Sequence, residues 1–225
     1  VKTHLDTADV RVVVLSAKTY EFDRSRAREM GADGYLTKPI KLDSFIDDLE
    51  NLIGDTITTT FWGVRGTLPV SGEKSLRYGG NTSCVAIQCS NAPLLIFDAG
   101  SGIKELSDTM MTKGERITAK IFISHPHWDH INALPFFAPL YVAGNEFEIL
   151  GARHGDTTMR ELMSAQMDGI YFPITIREFA ARVFFRDLGE ETISFDNITV
   201  KTMLLSHPGN CLGYRVEFQG KSICY

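Results

Sequence analysis

Basic residues are in deficit. The chain carries 23 Lys and Arg against 28 Asp and Glu, a formal net charge of -5 at pH 7. A duplex nucleic-acid binder shows a basic face or stripe, so the balance excludes that footprint for the chain as a whole and leaves room for a local basic groove. Long apolar runs are missing too: residues 12–15 and 94–97 are strand-length. A helix that crosses a bilayer needs about 20 consecutive apolar residues, so no membrane span and no membrane partner are expected. The N-terminus lacks the basic, apolar and small-residue order of a secretory signal, and the cytoplasm is the expected compartment. Cysteine is sparse and scattered, with Cys84, Cys89, Cys211 and Cys224 forming no close pair. That excludes a cysteine-based structural zinc site or dithiol motif, and the thiols are read as reduced and mostly buried. No repeat or low-complexity tract interrupts a composition of 44% hydrophobic and 23% charged residues, which is that of a folded globular protein.

The first fifty residues have their own pattern. Residues 10–17 (VRVVVLSA) form a continuous β-branched run, as in a strand of a parallel sheet covered on both faces. A polar, helix-favouring stretch over 22–30 closes at Gly31, and a short strand over 34–37 ends at Lys38-Pro39. Leu42, Phe45, Ile46, Leu49, Leu52 and Ile53 then fall at helical spacing. The order is β-α-β-α. With Ser16 at one strand end and GADGYLTKP at the next, it resembles the C-terminal half of a response-regulator receiver domain, with 1–54 as the corresponding segment. The resemblance implies that the Ser16 hydroxyl and the Lys38 ammonium contact a phosphoryl group on an aspartate that lies upstream. It also implies a doubly wound sheet, an X-Pro bond that is often cis, and a sensor kinase as partner. Without that aspartate, residues 1–54 are expected to take up no phosphate.

A polar passage over 54–60 marks a boundary, after which strand-like segments follow at 57–62, 82–88, 94–98 and 121–124, separated by Gly-rich turns. The first three are close enough in sequence for an antiparallel meander. Further on, a helical stretch around 157–167, a strand over 198–205 and a hairpin of 213–218 and 221–225 about Gln219-Gly220 are expected. Two sheets sandwiched between helices is the expected architecture.

The apolar strand ending at Ser124 runs directly into His125, Pro126, His127, Trp128, Asp129 and His130. Four ligand-capable side chains within six residues suit zinc and its neighbours. A loop at a strand end can aim alternate side chains at one point and send Asp129 and His130 toward a second. His154 has no ligand partner in sequence and reads as a surface residue, and 166–173 (QMDGIYFP) reads as a lip over the site.

Together with FWGVRGTLPV, RYGGNTSC, LLIFDAGSGI, SHPHWDHINALPFF and SHPGNCLGYRVEF, this motif resembles the metallo-β-lactamase superfamily. The nearest branch is the phosphodiesterase-type one, tRNase Z-like and cyclic-phosphodiesterase-like. The resemblance covers roughly residue 60 onward. It implies an α/β fold, an αββα sandwich over 55–225 incomplete at its C-terminus, and two divalent metal ions, with zinc first and manganese or iron also suited. His125, His127 and His207 would hold one metal, while Asp129 and His130 would contribute to the other. Asp98 would support the ligand loop by hydrogen bonding. The family's bridging aspartate and final histidine are expected beyond Tyr225, and Ala133 stands where a glycine is usual. The implied activity is phosphodiester hydrolysis by a metal-activated hydroxide, with a catalytic role for Asp129, a phosphodiester small molecule or nucleotide as substrate, and regulation by the receiver module. A lactone or thioester hydrolase and a non-catalytic signalling adaptor with a degenerate metal site are the alternatives. A second copy of the chain is a further expected partner.

Overall fold

The computed structural model describes residues 11–40, 45, 48, 49, 54 and 56–225. The expected helix over 42–53 lies largely outside the described residues. The chain divides into two compact units, one formed by residues up to 57 with 89–92, the other by 58–88 with 93–225.

In the first unit, β1 (Val13–Ser16) and β2 (Gly34–Thr37) pair in parallel, with Val13 opposite Gly34 and Ser16 opposite Thr37. Between them runs α1 (Glu21–Glu29), with Glu21 and Asp23 in its first turn and Arg26 and Arg28 in its last, the distribution that opposes the helix dipole. Gly31, at φ 87°, turns the chain back toward the sheet. Asp33 closes the unit by accepting the Val12 N–H at 2.7 Å. The Lys38 N–H donates to the Ser16 carbonyl at 2.8 Å, so these two residues sit at neighbouring strand ends, and the Lys38-Pro39 bond is cis.

The second unit is built on two sheets. The larger has the order β3 (Ile57–Gly63), β4 (Cys84–Cys89), β5 (Leu94–Phe97), β6 (Thr118–Ile123), β7 (Glu146–Ala152) and β8 (Arg182–Leu188). β4 and β5 are antiparallel, and β5 to β8 are parallel. The smaller is an antiparallel meander of β9 (Thr192–Phe195), β10 (Ile198–Leu205), β11 (Cys211–Phe218) and β12 (Lys221–Cys224). Alternation along β5 and β6 sends Ile96, Ile121 and Ile123 to one face, where they pack with Ile103 and Leu106 of α2 (Ile103–Lys113) and Met159 and Met163 of α4 (Met159–Ala165). Phe97 and Phe122 point the other way and stack at 5.1 Å, and Tyr214 of β11 meets both edge-on at 5.5 and 5.3 Å. This aromatic layer is the seam between the sheets, and the buried Tyr214 hydroxyl donates to the Ile123 carbonyl.

The sandwich expected between two helical layers is met on one side. Within this unit the described helices α2 and α4 pack on the six-stranded sheet, while Met203 and Leu205, on the outward face of β10, are exposed. No helix among the described residues is long and apolar enough to cross a membrane.

Candidate metal centre

The parallel strands deliver the site. β6 ends at Ile123, and the chain passes through Ser124 and His125 into the short α3 (Trp128–Ile131), with His127 at the N-cap and Asp129 in the first turn. The loop is laced to the turn after β5: the Ala99 N–H donates to the His130 carbonyl at 2.6 Å, and the Ala133 N–H to the Ala99 carbonyl at 3.0 Å. From the other sheet, the connection between β10 and β11 brings in His207. The Leu212 N–H donates to the Ser124 carbonyl at 2.9 Å, and Asn210 Nδ2 to the Arg153 carbonyl at 2.7 Å.

Three imidazoles converge. His125, His127 and His207 each offer a nitrogen, and these atoms all lie within 4.8 Å of one another. His207 Nε2 faces His127 Nδ1 at 3.3 Å. His125 is buried, and its Nδ1 lies 3.0 Å from Ser124 Oγ and 3.8 Å from Cys211 Sγ, which leaves Nε2 for the cluster. His130 stands beside them, its ring centre 4.1 Å from that of His125. Its Nε2 faces Asp129 Oδ2 at 3.3 Å, and Asp129 Oδ2 also accepts the Thr67 N–H at 2.8 Å. Thus the five residues singled out in sequence form one neighbourhood, divided into a three-imidazole group and a His130–Asp129 pair.

Asp98 lies beneath both groups, fully buried and at φ 60°, a left-handed conformation that Asp tolerates better than most residues. Oδ1 accepts the Ser124 N–H at 2.7 Å. Oδ2 accepts Ser124 Oγ–H at 2.8 Å, His130 Nδ1–H at 2.6 Å and the Tyr225 hydroxyl at 2.7 Å. With Ser124 Oγ donating to Asp98, it accepts from His125 Nδ1–H, so in the neutral form of His125 and of His130 the lone pair lies on Nε2. Carboxylate support of this kind fixes the tautomer and ring orientation of metal-ligating histidines.

The electrostatics follow the geometry. Burial, reinforced by the His130 imidazole, pushes His125 down to about 4. Burial also works against a charged His130, but the Asp98 carboxylate on Nδ1 outweighs it and raises that pKa. Burial alone would raise Asp129; the Thr67 N–H and His130 outweigh it and lower its pKa. Burial and the neighbouring Asp98 hold the Tyr225 phenol protonated, as its donor role requires.

Sequence reasoning did not single out Ser124, Thr67, Cys211 or Tyr225. Ser124 adjoins the motif and was within reach, whereas Thr67 lies 62 residues from its partner Asp129 and gives no local signal. His154, read as a surface residue, is half-buried with an enclosed Nε2, and its ring lies against Gly209 of the His207 loop. In the segment read as a lip, Ile170 and Tyr171 are exposed and Phe172 packs edge-on against Phe136 at 5.3 Å.

Two consequences are measurable. A Cβ on Gly100 would stand 2.2 Å from the Asp129 carbonyl and 2.4 Å from Thr82 Oγ1. Gly100→Ala should therefore push the motif loop off the sheet end, costing about 1–3 kcal/mol as overpacking does, seen as a lower melting temperature together with weaker zinc uptake in a titration. In chelator-treated protein, His125 takes up its proton near 4 when folded but near 6.5 when unfolded. Between those values the unfolded chain binds more protons, so His125 makes stability fall as pH drops through that window. Denaturant unfolding across pH 4–6.5 should show this slope lessened in His125→Gln.

A loop-borne cluster of imidazoles and a carboxylate at the strand ends of a two-sheet sandwich defines the metallo-β-lactamase-like class of α/β metal-binding folds. The chain belongs to the beta-lactamase superfamily, whose domain matches residues 95–225. It is 32% identical over 139 residues to ribonuclease BN of Enterobacter sp. (strain 638), covering 59% of this chain and 41% of that protein. It is 30% identical over 145 residues to ribonuclease Z of Prochlorococcus marinus subsp. pastoris, covering 63% and 45% respectively. The chain thus spans less than half the length of these curated relatives. Among solved structures, the metallo-beta-lactamase fold protein YhfI of Bacillus subtilis shares the fold with a TM-score of 0.54 at 18% identity, over 76% of this chain and 62% of that one. Unliganded yeast PDE1 gives a TM-score of 0.50 at 15% identity, over 75% and 63%.

Proposed function

We propose that this chain carries the metal-binding part of a metal-dependent phosphodiesterase. The observation that carries the reading is the arrival of His207, from the second sheet, at His125 and His127. His207 Nε2 faces His127 Nδ1 at 3.3 Å with a nitrogen of His125 close by, and a shared cation would take a lone pair from each of the three rings. The donor set therefore fits a divalent metal, zinc before manganese or iron. His125, His127 and His207 would hold one cation, and Asp129 and His130 would contribute to a second. Bound cations supply Lewis acidity, bringing the pKa of water toward neutrality and offsetting charge on phosphoryl oxygens.

The remaining steps belong to the protein. Asp98 and Ser124 hold the proton on Nδ1 of His130 and His125, keeping each Nε2 basic and aimed into the cluster. Asp129, whose ionised form the Thr67 N–H favours, can accept a proton from an attacking water and keep that water's lone pair turned toward phosphorus. The relatives named ribonuclease support a phosphodiester as the bond cleaved. For the first unit, the parallel β1–β2 pair and the adjacency of Ser16 and Lys38 support the receiver-like reading, which would place the hydrolase under control of a sensor kinase.

The test is hydrolysis of bis(p-nitrophenyl) phosphate by the full-length protein. Activity should appear on loading with zinc or manganese and vanish with a chelator. Cleavage of lactones or thioesters in its place would support the other hydrolase reading, and metal uptake with no turnover of any of these would support the adaptor.

A further inference from the structure

The FWGVRGTLPV segment meets the site through one strained residue. Beyond β3, the Val64 and Arg65 N–H groups both donate to the Asn81 carbonyl, at 3.1 and 3.0 Å. The Leu68 N–H then donates to the Gly66 carbonyl at 3.0 Å, closing a three-residue turn whose middle residue, Thr67, has φ 72°. A γ-turn with positive φ is rare and strained, and a β-branched residue in it is an outlier. Arg65 Nε braces the turn from outside by donating to the Leu68 carbonyl at 3.2 Å. The Thr67 side chain is exposed, whereas its N–H points inward to Asp129 Oδ2 at 2.8 Å, the same oxygen that lies 3.3 Å from His130 Nε2. Strained backbone persists where its surroundings over-determine it, and it gathers at functional sites.

We propose that Thr67 is a positioning residue for the second cation: its turn aims a backbone N–H at Asp129 and holds the carboxylate in the orientation in which Asp129 and His130 share a metal. The role belongs to the backbone. A tight turn at positive φ would be less strained with glycine, so threonine's conformation is tolerated for where it directs the amide, and the β3–β4 loop becomes part of the metal site. This rests on the two-cation reading given above.

The decisive variant replaces Thr67 by its α-hydroxy acid analogue in the full-length protein, which exchanges the amide for an ester, deleting the N–H and weakening the Gly66 carbonyl that accepts the Leu68 N–H. Thr67→Gly keeps the N–H and removes the strain. Zinc stoichiometry and affinity are read by titration, with kcat and KM on bis(p-nitrophenyl) phosphate. The expected result is a second zinc bound about 10–100-fold more weakly by the ester variant, the range for lost outer-shell support, with kcat falling in step and KM little changed, while Thr67→Gly, which keeps the N–H, holds the second zinc more tightly than the ester variant does. A wild-type protein that takes up two zincs and an ester variant indistinguishable from it overturns the proposal alone. So does a Thr67→Gly protein as impaired as the ester. A wild type that takes up a single zinc overturns the proposal together with the two-cation reading.

Discussion

Asp129→Ala in the full-length protein is expected to abolish bis(p-nitrophenyl) phosphate hydrolysis while leaving the fold nearly intact. Asp129 is half-buried at the first turn of α3, and its described partners are the Thr67 N–H and His130 Nε2. Removing it returns an N–H on an exposed loop to solvent, a loss of about 1 kcal/mol, the net value of a typical hydrogen bond. The melting temperature should move by only a few degrees. Turnover behaves differently, because the substitution deletes both a ligand of the proposed second cation and the base that orients water. The fall should exceed the about 10–100-fold that loss of a supporting outer residue causes, and zinc stoichiometry should drop from two to one. A mutant that keeps most of its activity would end the two-metal phosphodiesterase reading.

Asp98→Ala should have the opposite profile, a loss of folding as well as of metal. The carboxylate is fully buried and accepts from the Ser124 N–H, Ser124 Oγ, His130 Nδ1 and the Tyr225 hydroxyl. Deleting it strands several buried donors and leaves His130 without its counter-charge. Removing one partner of a buried charged pair costs about 3–5 kcal/mol. Denaturant unfolding of the metal-loaded protein should report that loss. Asp98→Asn keeps the side-chain shape and the left-handed backbone, so it should fold better than the alanine variant. It places a carboxamide where His130 and Tyr225 need an acceptor, however, and zinc affinity should still fall by about 10–100-fold. Equal stability of Asp98→Ala and wild type would show that Ser124, His130 and Tyr225 find other partners and that Asp98 does not organise the site.

The cost of these two substitutions differs because their side chains belong to different levels of structure. His125, His127, Asp129 and His130 fall within six residues of one strand end, so loop stereochemistry suffices to cluster them, and the sequence by itself determined that a cluster of ligand-capable side chains begins there. Strands with continuous β-branched or apolar runs, such as β1, β5 and β6, were legible for the same local reason. So was the hairpin of β11 and β12, whose turn residues Gln219 and Gly220 both take positive φ. α2, β7, β8 and β9 went unread. In α2 the buried stripe is reduced to Ile103, Leu106 and Ser107, and β8 owes its place to pairing with β7 along its whole length.

The tertiary structure alone decided the rest. His207, which the family resemblance pointed to and no local pattern did, becomes a partner of His127 across 80 residues, Tyr225 reaches Asp98 across 127, and Thr67 reaches Asp129 across 62. No periodicity records such pairs, because a strand pattern states which face a side chain takes and leaves open which strand will lie beside it. Register supplies that information. Ser16 opposite Thr37 in the first unit, and Leu205 opposite Cys211 where the second sheet closes over the site, are set by which apolar faces can be buried together, and that is a property of the assembled sheets.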